Sequence, residues 1–325
     1  MTFVQTAYEL LGFLGRAIIV FITFAACAAF LLGRVRVSRV VEPYVRLREI
    51  SARWRHNIDS IQAGLVPAKS RKRYGKDLAK TRAAESPPPG RVFVIDFKGD
   101  ILATAVDTLR EEITVILGLY TQGDEVVVRL ESAGGAVHGY GLAASQLARL
   151  RARSIPLTIC VDKVAASGGY MMAVVGAHIV AAPFAILGSI GVVAPFANAH
   201  KLLGKFGLEY EDVTAGKFKR PVSLLGPVTE EGKAKLQEQI DETHVLFKRF
   251  VSDMRPALDI EAIATGEHWY GTRAVELGLV DAIATSDDVL LEKAQHARVF
   301  EVVCDRPFKA RDRLFQLARA AFGYL

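Results

Sequence analysis

The chain predicts an α/β fold organised around a parallel sheet. From residue 91 onward, short apolar runs alternate with stretches of helical period, the pattern of βαβ units. Two glycine-rich turns follow predicted strands, where open α/β sheets hold their sites. A run of three prolines, Pro87-Pro88-Pro89, closes off a basic N-terminal region from this alternation. With 325 residues, 51% hydrophobic and 23% charged, the chain can bury one sizeable core and carry an appendage. Composition excludes a disordered tail, a collagen-like repeat and a small disulfide scaffold. Cys27, Cys160 and Cys304 are far apart, so no metal site and no disulfide framework is expected.

Residues 17–33 read AIIVFITFAACAAFLLG without a charge, and the apolar run extends back to Leu10 with only Arg16 interrupting it. About 20 apolar residues cross a bilayer as a helix, so an uncleaved transmembrane anchor is expected over residues 1–33. A cleaved signal peptide would need a basic region ahead of the run, and there is none before Arg16. Residues 34–90 then hold 14 Lys and Arg against 5 Asp and Glu. The net charge of +6 is thus concentrated beside the apolar run. This favours contact with a lipid bilayer over nucleic acid, for which no motif is present. Residues 34–90 are expected to be a linker with some helix.

The alternation follows. Residues 91–97 (RVFVIDF), 125–130 (EVVVRL) and 157–161 (LTICV) read as buried strands; 104–120 and 138–153 read as helices. The apolar stretch 178–199 contains two prolines and two glycines, and is expected to form buried strands and turns instead of a second span. Residues 230–254 carry apolar positions at helical spacing, and the segment 269–281 predicts a helix stopped at Gly278 before a short strand. The tail, 308–325, reads as an amphipathic helix. The expected division is an anchor at 1–33, the basic region at 34–90, a main domain at 91–287 and a C-terminal extension at 288–325.

The two glycine-rich turns are Glu131-Ser132-Ala133-Gly134-Gly135 and Ala166-Ser167-Gly168-Gly169-Tyr170. Ser167 is expected where a strand turns into a helix. The free N–H groups of that helix end, with those of Gly134 and Gly135, suit an oxyanion. A helix cap or a tight packing turn would use the same residues. A nucleophilic serine needs a base. The histidines show no partner pattern, which disfavours a Ser-His-Asp triad. A well-enclosed lysine is the other option, and Lys163, Lys201, Lys217 and Lys219 are the nearest choices.

These motifs, with Gly188-Ser189-Ile190-Gly191-Val192 and Ala215-Gly216-Lys217-Phe218-Lys219, resemble the signal peptide peptidase A family, over essentially the whole chain. The resemblance implies a ClpP/crotonase-like ββα superhelix and a serine endopeptidase with a Ser-Lys dyad. Ser167 takes the nucleophile's place and Lys219 the base's. Ser189 matches the serine that bonds the lysine amine, and Gly134, Gly135 and Gly168 match the oxyanion hole. Where the family usually has Pro before the glycine pair, this chain has Ala133, which loosens the turn but keeps the N–H donors. Arg220 stands where related enzymes often carry Asp, a like charge beside Lys219.

The resemblance further implies no cofactor and no metal, and substrates that are unfolded polypeptides or released signal peptides. It implies a ring-like homo-oligomer in a bacterial inner membrane. Family analogy puts catalysis on the periplasmic face, whereas the arginines after the apolar run favour the cytoplasm. Two other readings share much of this pattern: a crotonase-like acyl-CoA enzyme, which would need an acidic acid/base, and a non-catalytic membrane scaffold that keeps a peptidase fold.

Overall fold

The valine-rich runs become the inner strands of a seven-stranded sheet in the computed structural model, which describes residues 18, 20–23, 44–84 and 88–305. The elements in chain order are β1 (Tyr44–Glu49), α1 (Ile50–Leu65), α2 (Arg71–Ala84), β2 (Gly90–Lys98), α3 (Val106–Leu119), β3 (Glu125–Glu131), α4 (Val137–Arg151), β4 (Leu157–Val161) and β5 (Val164–Ala166). They continue with α5 (Gly168–Ala173), β6 (His178–Ala181), β7 (Ile186–Gly188), α6 (His200–Lys205), α7 (Glu230–Met254), α8 (Ile260–Ile263), β8 (His268–Tyr270), α9 (Gly271–Glu276), β9 (Ala282–Ile283), α10 (Ser286–Lys293) and β10 (Ala297–Asp305).

The large sheet has the order β1-β10-β2-β3-β4-β6-β9. All its pairings are parallel except β1 with β10. Its central strands are buried on both faces, which is why they read as continuous apolar runs. On one face Phe93, Ile95, Val128 and Leu130 pack under Leu109, Ile113, Leu147 and Leu150 of α3 and α4. On the other, Val92, Val94, Val127 and Cys160 pack with Ile50 and Leu290 of α1 and α10. A three-stranded sheet, β5-β7-β8, stands beside the large one.

The helices and inner strands expected between residues 91 and 281 form within a few residues of their expected bounds. The stretch 178–199 supplies β6 and β7 and then runs irregularly, and Gly278, at φ +74°, follows the end of α9. The sheet extends past the expected boundaries at 90 and 287. Strand β1, from the basic region, pairs with β10, from the C-terminal extension, and β10 lies directly against β2. The charge pattern of β1, YVRLRE, conceals a strand: Arg46 pairs with Asp305, and Arg48 with Glu301.

Among the described residues, no helix is long and apolar enough to cross a membrane. Of the predicted span 17–33 only residues 18 and 20–23 are among the described residues, and the predicted helix 308–325 lies outside them.

Candidate active site

The site is assembled where β3 ends. Ser132 forms a parallel bridge with Ala165 of β5: the Ser132 N–H donates to the Val164 carbonyl at 2.8 Å, and the Ala166 N–H to the Ser132 carbonyl at 3.0 Å. This zipping lays the first glycine-rich turn against the second. Gly134 (φ +88°) and Gly135 (φ +157°) take backbone conformations that a side chain would strain. A Cβ on Gly134 would fall 2.8 Å from both the Gly168 nitrogen and the Ser167 Cβ. Four of the sequence-predicted residues, Gly134, Gly135, Ser167 and Gly168, therefore meet at one place.

Ser167 sits between β5 and α5 with φ +51° and ψ −119°, a conformation rare for a residue with a side chain. Its N–H donates to the Gly188 carbonyl at 2.8 Å and its carbonyl accepts from Met171. The strain is held by this bond and by the burial of α5, every residue of which is in the core. Tyr170 ties the helix down by donating to the Leu279 carbonyl at 2.8 Å. Ser189, next to Gly188, has the same φ of +51°, and its N–H donates to the Glu267 carbonyl at 2.6 Å. Ser189 is thus brought beside the Ser167 turn by the β5–β7 pairing, in which Ala166 lies opposite Gly188.

The N–H groups of the three glycines differ in what they bond. The Gly134 N–H donates to Ser132 Oγ at 3.0 Å and is engaged inside the loop. The N–H groups of Gly135 and Gly168 have no acceptor among the described residues, so both are open to one.

The lysines separate as well. Lys163 Nζ is 3.1 Å from Glu131, and Lys217 Nζ is 2.5 Å from Glu231 and lies over the Phe218 ring. Lys201 is exposed on α6. Lys219 lies on the irregular segment between α6 and α7; it is exposed, and its ammonium makes no hydrogen bond or ion pair among the described residues. Its N–H donates to the Gly216 carbonyl at 3.1 Å, forming a tight turn. No bond joins it to Ser167. Arg220 is bonded to Asp212 at 2.7 Å and to Tyr210 at 3.1 Å, so its charge is compensated locally. His268 lies opposite Gly188 across β7 and β8 with its ring against Tyr270. It makes no hydrogen bond to either serine.

Beside this turn, on the other face of the sheet, a polar cleft of about 280 Å³ is lined by Asp96, Lys98, Arg129, Glu131, Asp162 and Lys163 among others. These side chains mostly bind each other: Arg129 pairs with Asp96 and Glu301, and Asp162 accepts from the N–H and hydroxyl of Ser286 at the start of α10. Among the described residues, no cluster of His, Cys, Asp and Glu could hold a metal ion.

Residue order gives no hint of what lies beneath the site. Ser132 stands within the first glycine-rich motif but has no role predicted for it, while Tyr140, Asp100 and Ile101 carry no local signal. The Ala136 N–H donates to the Ile101 carbonyl at 2.7 Å, and a Cβ on Gly135 would overlap that carbonyl.

The described unit is thus an α/β protein that presents a strained serine, at a strand-to-helix turn, to a glycine-rich strand end. Residues 5–147 match the model for the N-terminal region of peptidase family S49, and residues 149–300 match that for peptidase family S49 itself. The chain belongs to peptidase family S49.

It is 56% identical over 225 residues to a probable protease SohB of Haemophilus influenzae, covering 69% of this chain and 64% of that protein. It is 53% identical over 212 residues to a probable protease SohB of Buchnera aphidicola subsp. Acyrthosiphon pisum, covering 65% of this chain and 63% of that protein. The chain thus spans just under two thirds of the length of these curated relatives. Among solved structures, a membrane protease from Pyrococcus horikoshii, specific for a stomatin homolog, aligns with a TM-score of 0.42 at 14% identity, over 70% of this chain and 98% of that one.

Proposed function

We propose that this chain is a membrane-anchored serine endopeptidase of ClpP/crotonase-like architecture, with Ser167 as nucleophile and Lys219 as base. The observation that carries this reading is Ser167 in a strained strand-to-helix turn, flanked by the open N–H groups of Gly135 and Gly168. Membership of a peptidase family supports the reaction class.

In the proposed cycle the Lys219 amine takes the Ser167 hydroxyl proton as Oγ attacks a peptide carbonyl carbon. Gly135 and Gly168 donate to the resulting oxyanion. The carbonyl re-forms, the C–N bond breaks, and the lysine proton passes to the leaving amine. Water then gives a proton to the neutral Lys219 amine and attacks the acyl carbon; the C–Oγ bond breaks, the lysine proton returns to Ser167 Oγ, and the carboxylate product leaves. Ser189, held beside the turn, orients the lysine. A lysine base works desolvated, whereas Lys219 is exposed in the single chain. The reading therefore requires closure of the site by substrate or by neighbouring copies in a ring-like homo-oligomer. Substrates are unfolded polypeptides or released signal peptides, and no cofactor or metal takes part. The apolar run 17–33 supports an anchor in the inner membrane, and the catalytic unit is proposed to face the periplasm.

The test is cleavage of an unfolded protein by detergent-purified full-length wild type, Ser167→Ala and Lys219→Ala. Loss of at least about 100-fold in both variants, with folding intact, is the expected result. Cleavage by Ser167→Ala at the wild-type rate overturns the nucleophile, and cleavage by Lys219→Ala overturns the base. An inert wild type favours the acyl-CoA or scaffold reading.

A further inference from the structure

A fully buried polar chain runs beneath the two open donors. Tyr140 and Ser132 are 0% and 2% exposed. The Tyr140 hydroxyl donates to the Asp100 carbonyl at 2.7 Å and lies 2.5 Å from Ser132 Oγ. Because its one proton is committed to Asp100, Tyr140 accepts from Ser132. Ser132 Oγ in turn accepts the Gly134 N–H at 3.0 Å. Every member is satisfied in one direction only: Gly134 N–H to Ser132, Ser132 O–H to Tyr140, Tyr140 O–H to Asp100. A network of this kind admits a single arrangement.

The chain touches Gly168 directly and reaches Gly135 through its neighbour. The Tyr140 ring packs on Gly168 so closely that a Cβ there would overlap the ring carbon Cγ and lie 2.7 Å from the Tyr140 Cβ. At the other end, Ser132 holds the N–H of Gly134, the neighbour of Gly135. The Asp100 carbonyl also accepts from Ala103 at 3.0 Å, and the Asp100 carboxylate accepts from the Thr104 N–H and hydroxyl at 2.9 and 2.8 Å. Between these anchors, Ile101 accepts from Ala136, just after Gly135. The loop between β2 and α3 is thereby clamped against the glycine pair from both sides.

We infer that Tyr140 and Ser132 are positioning residues that set the spacing and direction of the Gly135 and Gly168 N–H groups toward the substrate oxygen. Neither touches the reacting atoms; both act through the glycines. This rests on the serine peptidase reading above. Their contribution belongs to the charged, tetrahedral stage of the reaction, so their loss lowers kcat and leaves KM nearly unchanged.

The experiment compares peptide hydrolysis by the full-length enzyme, Tyr140→Phe, Ser132→Ala and the double variant, with Ser167→Ala alongside. Inhibition by a peptide aldehyde, whose hemiacetal places an oxyanion at the same spot, is measured on each. Tyr140→Phe keeps the ring against Gly168, and Ser132→Ala breaks the same chain without touching that ring, so either one reads the relay. Expected for both are a kcat about 10- to 100-fold lower, KM within about 3-fold of wild type, and aldehyde affinity falling in parallel with kcat/KM. The double variant is expected within about 3-fold of the weaker single one, because the two hydroxyls act as one unit. If both single variants keep more than half the wild-type kcat while Ser167→Ala is inactive, the inference is overturned and the peptidase reading stands. If Ser167→Ala hydrolyses the peptide, that reading fails first.

Discussion

The Ser167 N–H bonds the Gly188 carbonyl at 2.8 Å, and this one contact joins the turn that follows β5 to the turn that follows β7. Ser167 and Ser189 both leave those turns with φ +51°. The conformation costs about 1–3 kcal/mol for a residue with a side chain.

Replacing Ser167 with Gly should therefore stabilise the chain relative to Ser167→Ala, although both lack the hydroxyl. Alanine retains the strained Cβ, whereas glycine relieves it and gives back about 0.5–1 kcal/mol in unfolded-chain entropy. A net gain of about 1 kcal/mol in chemical unfolding is expected. A glycine variant less stable than the alanine one would mean that the turn is not strained.

Gly135→Ala should cost at least about 100-fold in kcat and about 1–3 kcal/mol of stability. Its Cβ would overlap the Ile101 carbonyl, at a φ of +157°. Gly123 is the control, since it too has positive φ (+95°) but no atom within 4 Å of where a Cβ would stand. Gly123→Ala should cost about 1 kcal/mol with kcat unchanged. Equal effects on kcat at the two positions would remove the special role given to the first turn.

Glu112, on α3, is buried, and burial pushes its carboxyl up to about 7. A bond from the Cys304 N–H opposes the rise and the nearby Asp96 charge adds to it. Between about pH 4.5 and pH 7 the folded chain then holds a proton that the unfolded chain has lost. Stability contributed by this group should fall as pH rises through that window, by on the order of 3 kcal/mol. Glu112→Gln removes the titration, so its unfolding free energy minus that of wild type should grow from pH 5 to pH 8. A constant difference would show that Glu112 ionises in the fold as it does in water.

Asp124 is buried at the start of β3 and bonded by Arg91 through Nε at 2.9 Å and Nη2 at 2.5 Å. Burial works to raise its carboxyl, but Arg91 and Thr121 outweigh it, and the net direction is downward. Arg91→Met would leave that carboxylate without its cation. A loss of about 2–3 kcal/mol at pH 7 is expected, below the fully buried range because Arg91 is 30% exposed. The loss should shrink as pH falls and Asp124 takes up a proton in both states. A loss that persists undiminished at pH 3 would assign it to packing of the arginine stem.

Much of the fold and part of the site could be read from residue order. The apolar runs of β2, β3 and β4 announce a sheet covered on both faces, since strands so placed have no polar side to display. Glycine pairs after strands mark turns, because glycine accepts positive φ and close backbone approach without strain. The outer strands were hidden. In β1 the arginines at 46 and 48 interrupt any apolar pattern, and they are accommodated by Asp305 and Glu301, more than 250 residues away. Glu112 and Tyr140 look like ordinary helix residues until their neighbours from β10 and the 99–104 loop are known.

By itself the sequence determined the inner strands and the helices that cover them, and which glycines and which serine stand at the two turns. Those are consequences of local periodicity and of what each backbone position tolerates. Only the tertiary structure decided that Gly134 has its N–H taken by Ser132 while Gly135 and Gly168 keep theirs open, and that Lys163 and Lys217 are held by carboxylates. Hydrogen-bond ownership depends on which groups meet across the fold, and residues brought together from β2, β3, β5 and α4 settle that after the chain has closed.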